Sequence, residues 1–140
     1  MRLPHAAQVL VGPRRCLSTA AEAESLTYKD DMLVEILRDC TTIAMVGASP
    51  KWQRPSFFAM KYLQQKGYRV VPINPVVPPG ELILGEECYS SLADLPANLA
   101  KQIVMVDIFR NSEAAAAITD EAIEILKPHG ALKCVWMQLG

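Results

Sequence analysis

The fold of this chain is decided by the stretch Thr41-Thr42-Ile43-Ala44-Met45-Val46-Gly47-Ala48-Ser49-Pro50-Lys51-Trp52-Gln53-Arg54-Pro55-Ser56. The apolar run over residues 43–46 predicts a buried strand, and the small residues and proline that follow predict a tight turn. Pro55 suits the first position of a helix, because its missing amide hydrogen would have no partner there. A strand, turn and helix in this order direct backbone amides and the positive end of a helix dipole at one point, where an anion is stabilised. The stretch therefore predicts a nucleotide-phosphate site.

Apolar residues at helical spacing flank this strand on both sides. Residues 27–39 predict an amphipathic helix that leads into the strand, and the helix after the turn is predicted to end in a left-handed glycine cap. We expect the aromatic pair at the start of that second helix, Phe57 and Phe58, to lie in the core. Residues 69–75 predict a second strand, in which Pro72 removes one backbone donor and therefore requires a sheet edge or a bulge.

The second half of the chain repeats the alternation of strand and helix. A loop rich in proline and glycine over residues 76–87 leaves room only for a very short third strand. Residues 102–109 form a near-continuous apolar run, which predicts a strand buried on both faces. A helix capped by Asn111 or Ser112 and a last strand over residues 131–137 follow. The sequence therefore predicts a doubly wound, mostly parallel α/β sheet flanked by helices, with ligands bound beyond the carboxyl ends of the strands.

Length and composition limit the chain to one folded domain. It has 140 residues, of which 51% are hydrophobic and 21% are charged, and its formal net charge of -1 provides no broad basic surface for nucleic acid. No apolar run approaches the length that spans a bilayer, so membrane insertion is not expected. The 4 cysteines are far apart and show no metal-binding spacing, so we expect reduced thiols and no metal site.

The first part of the chain differs in composition from the rest. It contains arginines, several alanines and hydroxyl side chains, and it has no acidic residue before Glu22. This composition is typical of an organelle transit peptide. We therefore expect a leader over residues 1–25 that directs the chain to the mitochondrion, and a folded domain over residues 26–140. The alternative is a disordered tail on a cytoplasmic protein.

The turns after the predicted strands converge on one edge of the sheet. Gly47 would let the backbone approach a phosphate closely, and Ser49 would donate its hydroxyl. Lys51, Arg54 and Arg110 would neutralise the phosphate charge. Each of these cations, taken alone, is typical of a solvated surface. Their shared location is what supports the hypothesis of a phosphate site.

The turn lacks the features of two common nucleotide-binding loops. A dinucleotide fingerprint has the pattern G-x-G-x-x-G with an acidic residue about 20 residues later. Here Ala48 and Ser49 follow a single glycine, and the second strand ends in Asn74-Pro75 with no Asp or Glu. A Walker-type phosphate loop is also missing from the sequence. These differences argue against NAD as the ligand.

Catalytic groups are scarce outside the leader. His129 is the one histidine there, and we interpret it as a solvated turn residue because it lies between Pro128 and Gly130. Asp107 falls within a buried strand, where we expect a structural hydrogen bond rather than acid–base chemistry. Ser49 has no visible base that would make it a nucleophile. The sequence therefore predicts no catalytic residues.

Several short motifs occur in order over residues 42–140. They are V-G-A-S-P-K, R-P-S, G-Y-R-V-V-P-I-N-P, L-A-D-L-P, V-D-I-F-R-N-S-E-A-A and W-M-Q-L-G. This series resembles the small CoA-binding domain proteins, which are stand-alone relatives of the nucleotide-binding domain of succinyl-CoA synthetase α-subunits. The resemblance implies a Rossmann-like fold that binds coenzyme A in the cleft at the strand ends. It implies no catalytic residues, since none is established for that family as a whole.

The resemblance also implies which residues contact the coenzyme. One group would face the phosphates, a pair would border the nucleotide, and a second pair would line the opposite wall. In that order they are Gly47, Ala48, Ser49, Lys51 and Arg54, then Asn74 and Pro75, then Phe109 and Arg110. Coenzyme A carries an adenosine 3′-phosphate and a diphosphate, which several cations around one turn would match.

Relatives of this kind usually continue past W-M-Q-L-G through another helix and a strand, so we expect a truncated C-terminal part with an open sheet edge. A homodimer or a partner subunit would cover that edge. The resulting hypothesis is a non-catalytic module that binds coenzyme A or acyl-CoA as a carrier, sensor or regulatory subunit. The alternatives are an NAD(P)-linked oxidoreductase or CoA-ligase subunit fragment that needs a partner for catalysis, and a module that kept the fold but lost the ligand.

Overall fold

A computed structural model of the chain describes the backbone of Ala7–Leu10 and the whole of residues 29–138. The strands of this part are β1 (Ala7–Leu10), β2 (Thr42–Val46), β3 (Arg69–Ile73), β4 (Leu82–Ile83), β5 (Glu86–Glu87), β6 (Ile103–Ile108) and β7 (Cys134–Met137). Its α-helices are α1 (Asp30–Asp39), α2 (Pro55–Gln65), α3 (Ala97–Ala100) and α4 (Ser112–Leu126). Short 3-10 helices cover Leu92–Asp94 and Lys127–His129.

The main sheet has five strands in the order β1-β7-β6-β2-β3. Strands β7, β6, β2 and β3 pair in parallel, and β1 pairs with β7 in the antiparallel direction. Strands β4 and β5 form a separate small hairpin. The predicted doubly wound, mostly parallel α/β fold is therefore confirmed.

Two hydrophobic clusters cover the two faces of this sheet. Alternate residues of each strand point to opposite faces, so β2 contributes Ala44 to one cluster and Met45 to the other. The first cluster joins the sheet to α3, α4 and the 3-10 helix Leu92–Asp94, and the second joins it to α1 and α2. Every residue of β2 and β6 is buried, as expected for strands covered on both faces.

The position of β3 explains how the sheet accommodates Pro72. The carbonyl of Ile73 accepts a hydrogen bond from the amide of Gly47 on the inner side, at 2.8 Å. The carbonyl of Pro72 faces the outer side, where the amide of Tyr89 donates to it at 3.1 Å. β3 is the outermost strand of the main sheet, and within the described residues its outer side meets an isolated bridge from Ile73 to Tyr89. The ring nitrogen of Pro72 therefore lies where no ladder donor is needed, and the predicted edge position is correct.

Two features of the fold differ from the sequence interpretation. Strand β1 lies within the leader predicted over residues 1–25 and pairs along the side of β7 that was expected to be open. The other residues of that leader lie outside the described part of the chain. Phe58 is 55% exposed rather than buried and Phe57 is only partly buried, whereas the buried residues of α2 are Ser56 and Met60. Within the described residues, no helix has both the length and the apolar character needed to cross a membrane.

Candidate functional site

The turn after β2 packs directly against the turn after β6, and Gly47 makes this contact possible. Gly47 has a φ of 87°, a left-handed conformation that side-chain-bearing residues rarely adopt. A Cβ at this position would overlap the carbonyl oxygen of Phe109 and lie 3.1 Å from Cδ of Arg110. The amide of Gly47 is also bonded to Ile73 of β3. A glycine is therefore required for the approach of the two turns.

The rest of the first turn is closed by its own hydrogen bonds. The amide of Ser49 donates to Oγ of Ser56 at 3.2 Å, and the amide of Lys51 donates to Oγ of Ser49 at 3.2 Å. Ser56 is only 4% exposed, so its hydroxyl reaches the turn from within the start of α2. The expectation of an array of free amides is therefore wrong for Gly47, Ser49 and Lys51, whose amides donate within the protein.

Asn74 fixes the end of β3 to this turn. Its Nδ2 donates to the carbonyl of Ala48 at 2.7 Å, and its Oδ1 accepts from the amide of Val76 at 2.9 Å. Its backbone amide donates to the carbonyl of Tyr89 at 2.9 Å. Asn74 therefore positions the turn through its side chain, while its neighbour Pro75 lines the cleft beside it.

The turn after β6 holds an exposed cation and the start of α4. The amide of Phe109 donates to the carbonyl of Val46 at 2.8 Å, which continues the ladder between β6 and β2. Oδ1 of Asn111 accepts from the amide of Ala114 at 3.0 Å and caps α4. Between them lies Arg110, which is exposed and forms no ion pair within residues 29–138. The predicted capping role of Asn111 is confirmed.

A cleft of about 360 Å³ lies at the carboxyl ends of the parallel strands. The ends of β2 and β3 supply Val46, Gly47 and Ile73. One wall is a single face of α4. The opposite wall is formed by Pro75, by the residues that precede the 3-10 helix Leu92–Asp94 and by the first residue of that helix. The wall residues are Ala114, Ala117, Ile118 and Glu121 on α4, and Ser90, Ser91 and Leu92 opposite, with Arg110 at the start of α4.

The cleft contains part of the predicted site. Gly47, Pro75 and Arg110 line it. Ala48, Ser49 and Asn74 do not line it but form the hydrogen-bonded turn next to it. The remaining predicted residues stand apart from the lining: Lys51 and Arg54 are exposed on the first turn, and Phe109 packs with the cluster on the opposite face of the sheet.

Several lining residues were not identified from the sequence. Glu121 and the small residues of α4 recur at helical spacing on one face, which is a signal for a shared wall. Ser90 and Ser91 come to the cleft because the backbone around Tyr89 bridges to Ile73 of β3. No short motif marks either set.

Asp107 lies in β6, two residues before the turn. It is 6% exposed, and Nε2 of Gln138 donates to its Oδ1 at 3.3 Å. Burial raises the pKa of Asp107 to about 6, and the hydrogen bond from Gln138 opposes that shift. This carboxyl does not line the cleft, and its contact is the structural hydrogen bond expected from the sequence.

The thiols of the described residues are buried and unpaired. Cys40, Cys88 and Cys134 form no disulfide, as expected for reduced cysteines. Burial raises the pKa of both Cys40 and Cys134 to about 11, so these thiols are protonated at neutral pH. Within residues 29–138 no group of three or more His, Cys, Asp or Glu side chains is arranged to hold a metal ion.

Comparison with known proteins connects this cleft to a family. The family described as "CoA binding domain" matches residues 41–140. "Uncharacterized protein YneT" of Bacillus subtilis (strain 168) is 32% identical over 106 residues, which cover 76% of this chain and 70% of that protein.

Two solved structures are similar to this chain in both sequence and fold. Prb, a protein redesigned for binding, superimposes with a TM-score of 0.62 at 38% identity, over 71% of this chain and 65% of that one. This chain thus matches slightly less than two thirds of Prb. A hypothetical protein from Pyrococcus horikoshii OT3 has a TM-score of 0.59 at 36% identity, over 86% of this chain and 72% of that one. With the Rossmann-like sheet and the cleft at its strand ends, these matches show that the chain belongs to the CoA-binding domain family.

Proposed function

We propose that this protein binds coenzyme A, or an acyl-CoA, in the cleft at the carboxyl ends of β2, β3 and β6. The observation that carries the proposal is the cleft itself, which lies where parallel α/β sheets bind nucleotides and has Arg110 at its mouth. Its volume of about 360 Å³ is in the range of small-molecule sites. Arg110 has no carboxylate partner within the described residues, which supports its proposed role as the cation that binds a phosphate.

The nucleotide phosphates are assigned to the junction of the two turns. Gly47 brings the first turn against the second, so a ligand at the cleft mouth meets both. Lys51 and Arg54 are exposed on the first turn and add positive charge there without entering the cleft. Because the amides of Ser49 and Lys51 are already bonded, side-chain cations supply most of the attraction for phosphate in this proposal.

We assign the protein a binding role, as a carrier, sensor or regulatory module, rather than a catalytic one. The residues that line the cleft include no histidine, cysteine or lysine. The hydroxyl of Ser91 donates to Oδ2 of Asp94 at 2.8 Å, an exposed contact that lacks the imidazole of a hydrolytic triad. His129 lies at the far end of α4 and is exposed. This arrangement favours binding over covalent chemistry.

Calorimetric titration of the full chain with CoA, NAD⁺ and ADP in parallel tests this proposal. We expect CoA to bind more tightly than ADP, because the 3′-phosphate and the pantetheine arm add contacts, and we expect NAD⁺ to bind weakest. A preference for NAD⁺ would favour the oxidoreductase alternative. The absence of heat with all of them would favour a module that has kept the fold without the ligand.

Targeting and assembly are separate proposals. We propose that residues 1–25 direct the chain to the mitochondrion, and fusion of these residues to a fluorescent protein in cultured cells tests this. A diffuse cytoplasmic signal would contradict it. We also propose a homodimer or a partner subunit, for which the test is the mass of the purified chain by light scattering at several concentrations.

A further inference from the structure

Glu121 is a charged residue of the cleft that the proposed phosphate site does not use. It lies on the face of α4 that also presents Ala114, Ala117 and Ile118, a spacing that stacks side chains along one side of a helix. Ser112 begins α4 directly after the Arg110 turn, and Glu121 lies nine positions further along the helix. With a rise of about 1.5 Å per residue, Glu121 lies about 14 Å along the helix from that turn.

The surroundings of Glu121 give it no partner within residues 29–138. The ion pairs of that part of the chain are Arg69 with Glu86 and Lys133 with Asp39, and no hydrogen bond joins the Glu121 carboxylate to another described side chain. Its side chain is half-buried, and its neighbours on the cleft face of α4 are apolar. A carboxylate in such a place is stabilised by a hydrogen-bond donor, and it can only accept.

The cleft is therefore polarised along α4. Arg110 at the start of the helix attracts phosphate, whereas Glu121 repels it and selects neutral or positive donor groups. Between them, Ala114 and Ala117 leave a shallow wall that suits a flat ring. A ligand with phosphates at one end and a donor-bearing planar group at the other matches this order.

We propose that Glu121 is a specificity-determining residue, which accepts a hydrogen bond from the nucleoside of the bound nucleotide while Arg110 holds its phosphates. This inference rests on the proposed binding of coenzyme A in this cleft. The donor with the required chemistry is the exocyclic amino group of adenine, because the 2′-hydroxyl of coenzyme A lies next to the 3′-phosphate, which Glu121 would repel. The pantetheine arm is assigned outside this part of the cleft.

The experiment measures the dissociation constants of three ligands with three forms of the full chain. The ligands are CoA, its analogue with hypoxanthine in place of adenine, and 2′-deoxy-CoA. The proteins are the parent chain, Glu121→Ala, and the control Glu124→Ala, which removes an exposed carboxylate from the same helix outside the cleft. Melting temperatures of the three forms verify that each is folded.

We expect the parent and the Glu124→Ala control to bind the hypoxanthine analogue about tenfold more weakly than CoA, because the hydrogen bond from the adenine amino group to the carboxylate is lost. 2′-Deoxy-CoA keeps the amino group and serves as the control ligand, and a loss of affinity for it rather than for the hypoxanthine analogue would contradict the inference. Glu121→Ala should bind CoA about tenfold more weakly than the parent and should bind the hypoxanthine analogue and CoA equally well.

Two further outcomes would overturn the inference while coenzyme A binding stands. One is a Glu121→Ala variant that binds CoA as tightly as the parent. The other is a variant that loses affinity for all three ligands by the same factor, which would mean that the carboxylate serves another part of the molecule. If the parent chain binds no CoA, the proposed function itself fails, and this inference fails with it.

Discussion

Two turns that follow neighbouring parallel strands are built in opposite ways. The turn after β2 is rich in small residues and uses its amides internally, through Ile73, Ser49 and Ser56. The turn after β6 is short and carries Arg110, which is exposed, lacks an ion-pair partner within the described residues and borders the cleft. The first turn has the motif that resembles a ligand site, and the second turn has the unpaired cation.

This difference separates the positioning of the site from the attraction of the ligand. The first turn holds the strand ends together, since Asn74 binds the carbonyl of Ala48 and Gly47 contacts Phe109. In the proposed function, the second turn presents the charge of Arg110 to a ligand that fills the cleft. Substitutions in the first turn should therefore change stability, and substitutions at Arg110 should change affinity.

The largest effect is expected from Gly47→Ala, which would break the contact between the turns. The added Cβ would overlap the Phe109 carbonyl oxygen in a backbone conformation that already disfavours a side chain. We expect a loss of about 3 kcal/mol or more in the free energy of unfolding, measured by urea denaturation.

The matched control is Gly67→Ala. Gly67 has a similar φ of 92°, but a Cβ added there would meet no atom within 4 Å beyond its own chain neighbours. The free energy of unfolding of Gly67→Ala should therefore fall by only about 1 kcal/mol, from the unfavourable backbone conformation alone. Equal losses in the two variants would show that the contact between the turns contributes little.

The second largest effect is expected from Asp107→Asn in β6. This strand differs from β2 in carrying an ionisable side chain. The raised pKa of Asp107 means that the folded protein binds this proton more tightly than the unfolded chain does. Stability from this group is therefore greatest below pH 4 and falls as the pH rises from about 4 to about 6. Asp107→Asn should remove this dependence and raise the free energy of unfolding at pH 7 by about 2 kcal/mol.

Urea denaturation of both proteins between pH 4 and pH 7.5 provides the measurement. The difference between the variant and the parent should widen with pH and then level off above about pH 6. A difference that is constant across this range would mean that Asp107 ionises as freely in the folded protein as in the unfolded chain.

The third effect is the loss of CoA affinity when a cation of either turn is removed. Arg110→Ala should weaken CoA binding about tenfold, because a charge-assisted contact with phosphate is lost at the cleft mouth. Arg54→Ala should weaken it about twofold to threefold, since an exposed cation outside the cleft acts through screened charge. Neither variant should change the free energy of unfolding by more than about 0.5 kcal/mol.

Calorimetry at two salt concentrations measures both variants. The effect of Arg54→Ala should shrink at high salt, whereas that of Arg110→Ala should largely persist. A larger loss for Arg54→Ala would place the phosphates on the first turn, away from the cleft mouth.

The regular parts of this fold could be predicted because their signals are local. The apolar runs of β2 and β6 and the Asn111 cap of α4 each lie within a few residues of sequence. The edge position of β3 also followed from one residue, because Pro72 has no amide hydrogen to donate and a proline fits few positions in a sheet. The pairing of β1 with β7 could not be predicted in this way, because it joins two segments that lie far apart in the sequence.

The site could be predicted only in part, because the cleft is made by crossovers between distant segments. Gly47, Pro75 and Arg110 follow strands, and the rule for strand ends locates them. Glu121 lines the cleft because of the orientation of α4 about its own axis, with α4 packed against Leu92. No sequence motif indicates this orientation. The bond from Ser49 to Ser56 depends on how the turn folds back, so amides that looked free in the sequence are engaged in the structure.

The smallest effect is expected from Ser56→Ala, which tests whether the first turn can still serve the ligand. Removing the hydroxyl takes away the acceptor for the Ser49 amide and should cost about 1 kcal/mol in the free energy of unfolding. The freed amide would then be available to a phosphate oxygen without breaking a protein bond. We therefore expect CoA affinity to rise by about twofold to threefold. The control is Ser112→Ala, which removes an exposed hydroxyl at the start of α4. Unchanged affinity in Ser56→Ala would mean that the Ser49 amide does not face the ligand and that the first turn acts only as a support.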